Sequence, residues 1–183
     1  MKNDAENPTQ AAAAAPATSG DRVDRVIAEW NRERPDIDVR SMGVITRIWR
    51  VGRHLERHRA EVLTDWDADR GTVDILGMLR RSGEPYRLTA GELTKHSLIT
   101  SGGVSQRLDK LEKAGLVSRH VDTADRRRVE VQLTDAGVEL IDSVFRASMV
   151  AENELLDEAL TAKEREQLRT LLRKFLLFFE PEN

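Results

Sequence analysis

Between Leu88 and Thr134 four segments follow one another in an order that restricts the fold more than any other part of the chain. Thr89-Ala90-Gly91-Glu92 has the spacing of a capping box, in which the Thr89 hydroxyl accepts from the N3 amide and Glu92 reaches back to the cap. A short helix is therefore predicted from Ala90. It cannot run far, because His96 to Gly103 mixes β-branched, cap-type and glycine residues that suit a turn and a new N-terminus near Ser101. In the second helix Val104, Leu108 and Leu111 fall at i, i+4 and i+7, a narrow apolar stripe, while Gln106, Lys110 and Lys113 lie opposite. Gly115 suits a left-handed stop, Leu116 to Val121 reads as a strand, and Val129 to Leu133 alternates apolar and polar. Arg126, Arg127 and Arg128 then fall at the tip of a hairpin.

Two short helices, a basic hairpin and a returning strand predict a mostly α fold with a small β-wing, a winged helix-turn-helix with a helical dimerisation region. Charge supports a polyanionic partner once it is counted locally. Ser101 to Arg128 holds seven Lys or Arg against four acids, a net +3, whereas the whole chain is −3. A basic patch on an acidic body attracts phosphate without binding every polyanion. The candidate DNA-binding residues are Ser101, Ser105, Gln106, Lys110, Arg126, Arg127 and Arg128, with double-stranded DNA as the partner. A solvated charged surface is the other reading of such a run.

With 183 residues, 39% of them hydrophobic, the chain suffices for one core of ordinary size. It has no cysteine, which excludes disulfides, thiolate zinc sites and a cysteine nucleophile. No apolar run approaches a bilayer span and the first residues resemble no signal peptide, so a cytoplasmic protein without a membrane partner is expected. Residues 1–20, with their alanine run, read as a disordered tail. Residues 21–35 read as an added N-terminal helix, with Val23, Val26, Ile27 and Trp30 on one face and Pro35 after it. A long helix over about 38–65 carries Ile45, Ile48 and Leu55 as a stripe, with Trp49 beside it. Thr72 to Arg81 is a further helix, apolar on most sides.

After the hairpin, Thr134 caps a helix with Val138, Ile141, Val144, Phe145 and Met149 on one face. Thr161-Ala162-Lys163-Glu164 is a second capping box, opening a final helix with Leu168, Leu171, Leu172, Phe175 and Phe179 together. The segments at about 38–65 and 135–180 carry more apolar surface than a small winged domain can cover. A homodimer is the expected outlet, and reading two half-sites of a pseudo-palindromic operator also needs a two-fold axis. Closure into a monomeric bundle is the alternative.

The stretch from Gly91-Glu92-Leu93 to Leu133-Thr134-Asp135-Ala136-Gly137 resembles the MarR family of transcriptional regulators. The residues that carry the likeness are Ser101 to Glu112, Gly115-Leu116-Val117, Asp125-Arg126-Arg127 and Leu133-Thr134. The likeness covers nearly everything after residue 20, and it implies a winged-helix domain over residues 36–183 with the DNA-binding part at about 70–134. Ala124 departs from the family's wing, where an arginine is common. With the added N-terminal helix, Trp30, Asp74, Arg107 and Arg119 resemble the ligand-sensing set of the family's urate-responsive subgroup. That resemblance implies a repressor released by a small anion, urate or a related purine.

The residues themselves allow part of this. Arg107 lies roughly 60° from the apolar stripe and leans toward the protein body. Asp74 sits in an apolar helix, where a carboxylate needs a partner, and an Asp74–Arg107 pair is the expected one. Each residue also has a plainer reading: Asp74 as a favourable charge near a helix start, Trp30 as an anchor, and Arg107 and Arg119 as phosphate contacts. His54 and His58 stand at i, i+4 with no further ligand at a recognisable spacing, so no metal is expected. No nucleophile, phosphate-loop or paired-carboxylate motif is present, so neither an enzyme nor a cofactor is expected. The rival to a ligand-released repressor is a winged-helix module that binds protein or coats DNA without a sensor.

Overall fold

Val23 is the only buried residue of the first helix, α1 (Arg22–Glu33), and Val26 and Ile27 beside it are half-buried. The computed structural model describes residues 20–97, 101–121 and 129–181. The tail before residue 20 and the hairpin tip with Arg126, Arg127 and Arg128 lie outside them. The chain divides into two compact units, one ending at Leu55 and one from Glu56 onward. The long helix α2 (Met42–Thr64) begins in the first and ends in the second.

In the first unit Asp21 caps α1 with a capping box whose return partner is Asp24. Arg47 on α2 holds both acids, with Nε 2.8 Å from Asp21 and Nη2 2.6 Å from Asp24. That guanidinium is the main reason the Asp21 carboxyl falls from 3.8 to about 2. The expected apolar face of α1 is only partly used, since Trp30 is 46% exposed. The stripe on α2 is likewise open: Ile45 and Ile48 are half-buried, Leu55 is exposed and Trp49 is 72% exposed.

The second unit is built around α3 (Arg70–Arg81), whose Ile75, Leu76, Met78 and Leu79 are all buried. After it come β1 (Arg87–Thr89), α4 (Ala90–His96), α5 (Ser101–Lys113), β2 (Val117–Val121), β3 (Val129–Leu133), α6 (Asp135–Ala159) and α7 (Ala162–Phe179). The sheet is antiparallel in the order β1-β3-β2, with Leu88 opposite Val131 and Arg119 also opposite Val131. β3 is thus central, and Val131 and Leu133 face the core with Leu93, Val104, Leu108, Leu111, Val117 and Ile141. Burying these side chains drives the assembly at about 25 cal/mol per Å² of apolar surface.

The predicted caps are in place. Thr89 and Glu92 form the box that starts α4, and Thr161 and Glu164 the one that starts α7. Thr134 accepts from the Gly137 amide and donates to the Gly115 carbonyl, joining the start of α6 to the turn before β2. Gly115 occupies the left-handed region at φ +70, as its place after α5 requires. Two features differ from the sequence reading. α3 starts at Arg70, two residues early, because Asp69 caps it through the Thr72 amide. β1 was not anticipated, since three residues carry too little alternation to reveal a strand. No described helix is long and apolar enough to cross a membrane.

Candidate nucleic-acid interface

α5 is held by one side and open on the other. Val104, Leu108 and Leu111 are at most 3% exposed, whereas Ser105, Gln106, Lys110 and Lys113 are exposed. The same 3.6-residue period that buries the stripe therefore presents an amide, a hydroxyl and two ammonium groups to solvent. Ser101 is the first residue of this helix. An amide of this kind suits base edges, and ammonium groups suit phosphate.

Two arginines tie α5 to its neighbours. Arg107 Nη1 lies 2.5 Å from Asp69 Oδ2 and 3.4 Å from the Thr72 hydroxyl, so its side chain reaches the first turn of α3. The ion pair that the sequence placed between Asp74 and Arg107 thus forms with Asp69. The reason is geometric: Arg107 leans toward the start of α3, where the capping carboxylate is, and not one turn further along. Asp74 accepts from the Ser97 hydroxyl at 2.8 Å, and Ser97 is the C-cap of α4. On the other side, Arg119 of β2 reaches Asp109 at 2.6 Å and Glu112 at 3.3 Å, both on α5. Partial burial pushes the Asp69 carboxyl up, but the Thr72 amide and the Arg107 guanidinium outweigh it and hold the group below its ordinary value.

A cavity of about 680 Å³ opens beside these elements, between α3, the end of α4 and α6. Arg59, Arg70, Arg80, Arg81, His96, Asp74 and Asp142 form its polar lining, and Val73, Ile141 and Phe145 its apolar one. Arg80 grips Asp142 through two hydrogen bonds of 2.8 and 3.1 Å and lies 4.7 Å over the Tyr86 ring. Asp74 joins this lining; Arg107 and Arg119 stand instead at the two ties of α5, and Trp30 belongs to the first unit. The sequence reading missed Asp69, Arg80, Arg81 and His96. Only Asp69 carried a usable signal, a cap-type residue just before an apolar helical run.

The sequence profile described as MarR family matches residues 67–128, which hold α3, α4, α5 and β2. The HTH-type transcriptional regulator PecS of Dickeya dadantii is 35% identical over 82% of this chain and 90% of its own length. The chain belongs to the MarR family of transcriptional regulators. Its fold matches that of a mutant MarR from E. coli complexed with operator DNA, with TM-score 0.62 and 27% identity over 80% of this chain and 97% of the other. It also matches an S. aureus MepR–DNA complex, with TM-score 0.62 and 26% identity over 73% and 96%. MarR-family regulators are DNA-binding proteins and not enzymes. In this MarR-family chain α4 and α5 are the two short helices of the winged helix-turn-helix, with β2 and β3 after them.

Proposed function

We propose that this MarR-family protein is a cytoplasmic homodimeric repressor that reads a pseudo-palindromic operator and leaves it on binding a small anion, urate or a related purine. The observation that carries the DNA part is the split of α5 into a buried apolar stripe and an exposed face of Ser105, Gln106 and Lys110. Ser101 at the start of that helix and Arg126, Arg127 and Arg128, in the segment between β2 and β3, complete the proposed contact set. Two relatives with this fold are described in complex with DNA. Two-fold pairing would set the recognition helices about 34 Å apart, one turn of duplex.

The anion is supported by the chemistry of the guanidinium groups. Asp74 borders a cavity carrying four arginines and a histidine, and Arg107 and Arg119 lie on either side of α5. With Trp30 they form the proposed sensing set. An anion that took Arg107 or Arg119 from its present carboxylate partner would alter the support of α5 and lower DNA affinity, as linkage requires. Footprinting of the full-length protein on selected DNA, with and without urate, tests both parts. Gln106→Ala should lose discrimination between operator and random duplex, whereas Arg127→Ala should weaken both equally. Protection indifferent to sequence removes the operator reading; protection unchanged by millimolar urate, with Trp30 emission also unchanged, removes the purine.

A further inference from the structure

Asp69 divides two tasks between its two carboxylate oxygens. Oδ1 accepts from the Thr72 amide at 2.8 Å and so caps α3, while Oδ2 lies 2.5 Å from Arg107 Nη1. Gly71, the second residue of α3 and in its first turn, makes room for the second task. A Cβ at Gly71 would stand 3.2 Å from both Nε and Nη2 of Arg107 and 3.4 Å from Cζ, so the guanidinium plane rests against bare backbone. Gly71 is buried and the Arg107 side chain only 24% exposed, so this contact is enclosed. It also places a cation at the start of a helix, where the macrodipole opposes it. The Asp69 charge offsets that opposition, which makes the carboxylate a condition for Arg107 to stay.

We propose that Asp69 and Gly71 form a latch that fixes the orientation of α5 by holding Arg107 against the first turn of α3. Both are positioning residues: they act on DNA through Arg107 and the helix that carries it. The effect on operator recognition rests on the reading of α5 given above, whereas the effect on α5 itself does not. An α5 freed at this end keeps its lysines near phosphate but loses the alignment of Gln106 with base edges. Discrimination should therefore fall more than general DNA affinity.

The decisive variants separate the two oxygens. Asp69→Asn leaves an Oδ1 acceptor for the cap, since Asn caps as well as Asp, but turns an NH2 toward the guanidinium. Its melting midpoint should stay within about 2 °C of the parent. Gly71→Ala adds a good helix former while displacing the Arg107 guanidinium by a few tenths of an ångström, and its melting midpoint is read beside that of Asp69→Asn. Amide hydrogen exchange of the DNA-free full-length protein is read first, over Ser101–Lys113. Binding is then compared on a duplex selected by the parent from a random pool and on random duplex.

Faster exchange in α5, with a roughly tenfold loss of discrimination in both variants, supports the latch. Unchanged α5 exchange in Asp69→Asn and Gly71→Ala overturns it, whatever the DNA does. A parent that selects no preferred duplex, with α5 exchange still accelerated in the variants, keeps the latch and removes the operator reading.

Discussion

At Gly137 the first turn of α6 passes so near the Leu116 backbone that a Cβ would overlap the carbonyl oxygen. Backbone cannot rotate away as a side chain can, so Gly137→Ala should cost roughly 3 kcal/mol in urea denaturation. The identical change at Gly91, where a Cβ has its nearest neighbour at 3.9 Å, should stabilise by about 0.5 kcal/mol. Equal effects at the two positions would show that crowding at Leu116 is relieved by backbone movement. A pH effect belongs to Asp21. Its folded value, about 2, lies below the ordinary 3.8, so the stabilisation it brings is complete above 3.8 and is lost as pH falls toward 2. Acid titration followed by Trp30 emission should show a transition in that window that Asp21→Asn, which caps without titrating, lacks. The pairing of Arg107 shows where sequence reading stops at this scale. The angle of Arg107 on its helix was readable, but the choice between Asp69 and Asp74 depends on how two helices cross.

Caps explain why so many element boundaries could be read in advance. Thr89 with Glu92 and Thr161 with Glu164 satisfy orphan amides by local contacts, which depend on spacing alone. Thr134 was equally legible as a cap, yet its donation to the Gly115 carbonyl across the β2–β3 hairpin was not. Because both bonds end on one hydroxyl, Thr134→Ala should cost about 1–2 kcal/mol and Thr134→Ser much less, measured by urea melts. A loss no larger than that of an ordinary exposed cap would mean the Gly115 bond adds nothing. β1 escaped notice for the converse reason. Its pairing of Leu88 with Val131 spans the whole reading motif, and three residues leave no local trace of it. The α2 stripe was legible too, but as apolar surface still open in the single chain.

At the scale of the whole molecule, α7 has no buried residue and leaves Leu171, Phe178 and Phe179 64–79% exposed. Phe175, Phe179 and Phe178 already stack edge to face, with centroids 5.2 Å apart. This face is where the proposed second copy would pack. Ending the chain before Thr161 should abolish the dimer in equilibrium sedimentation and operator binding together; a truncated protein that sediments as a dimer would assign pairing to other helices. The two ties of α5 have a consequence of their own. Asp69 and Asp109 are each more than half exposed, so both ion pairs lie within reach of dissolved salt. With a screening length of about 8 Å at physiological ionic strength, added chloride weakens them as it weakens phosphate contacts. Ionic strength then acts on the reader as well as on the text. The slope of log K against log salt should exceed the number of phosphates touched, and the excess should shrink in Asp69→Asn, where one tie has already been cut.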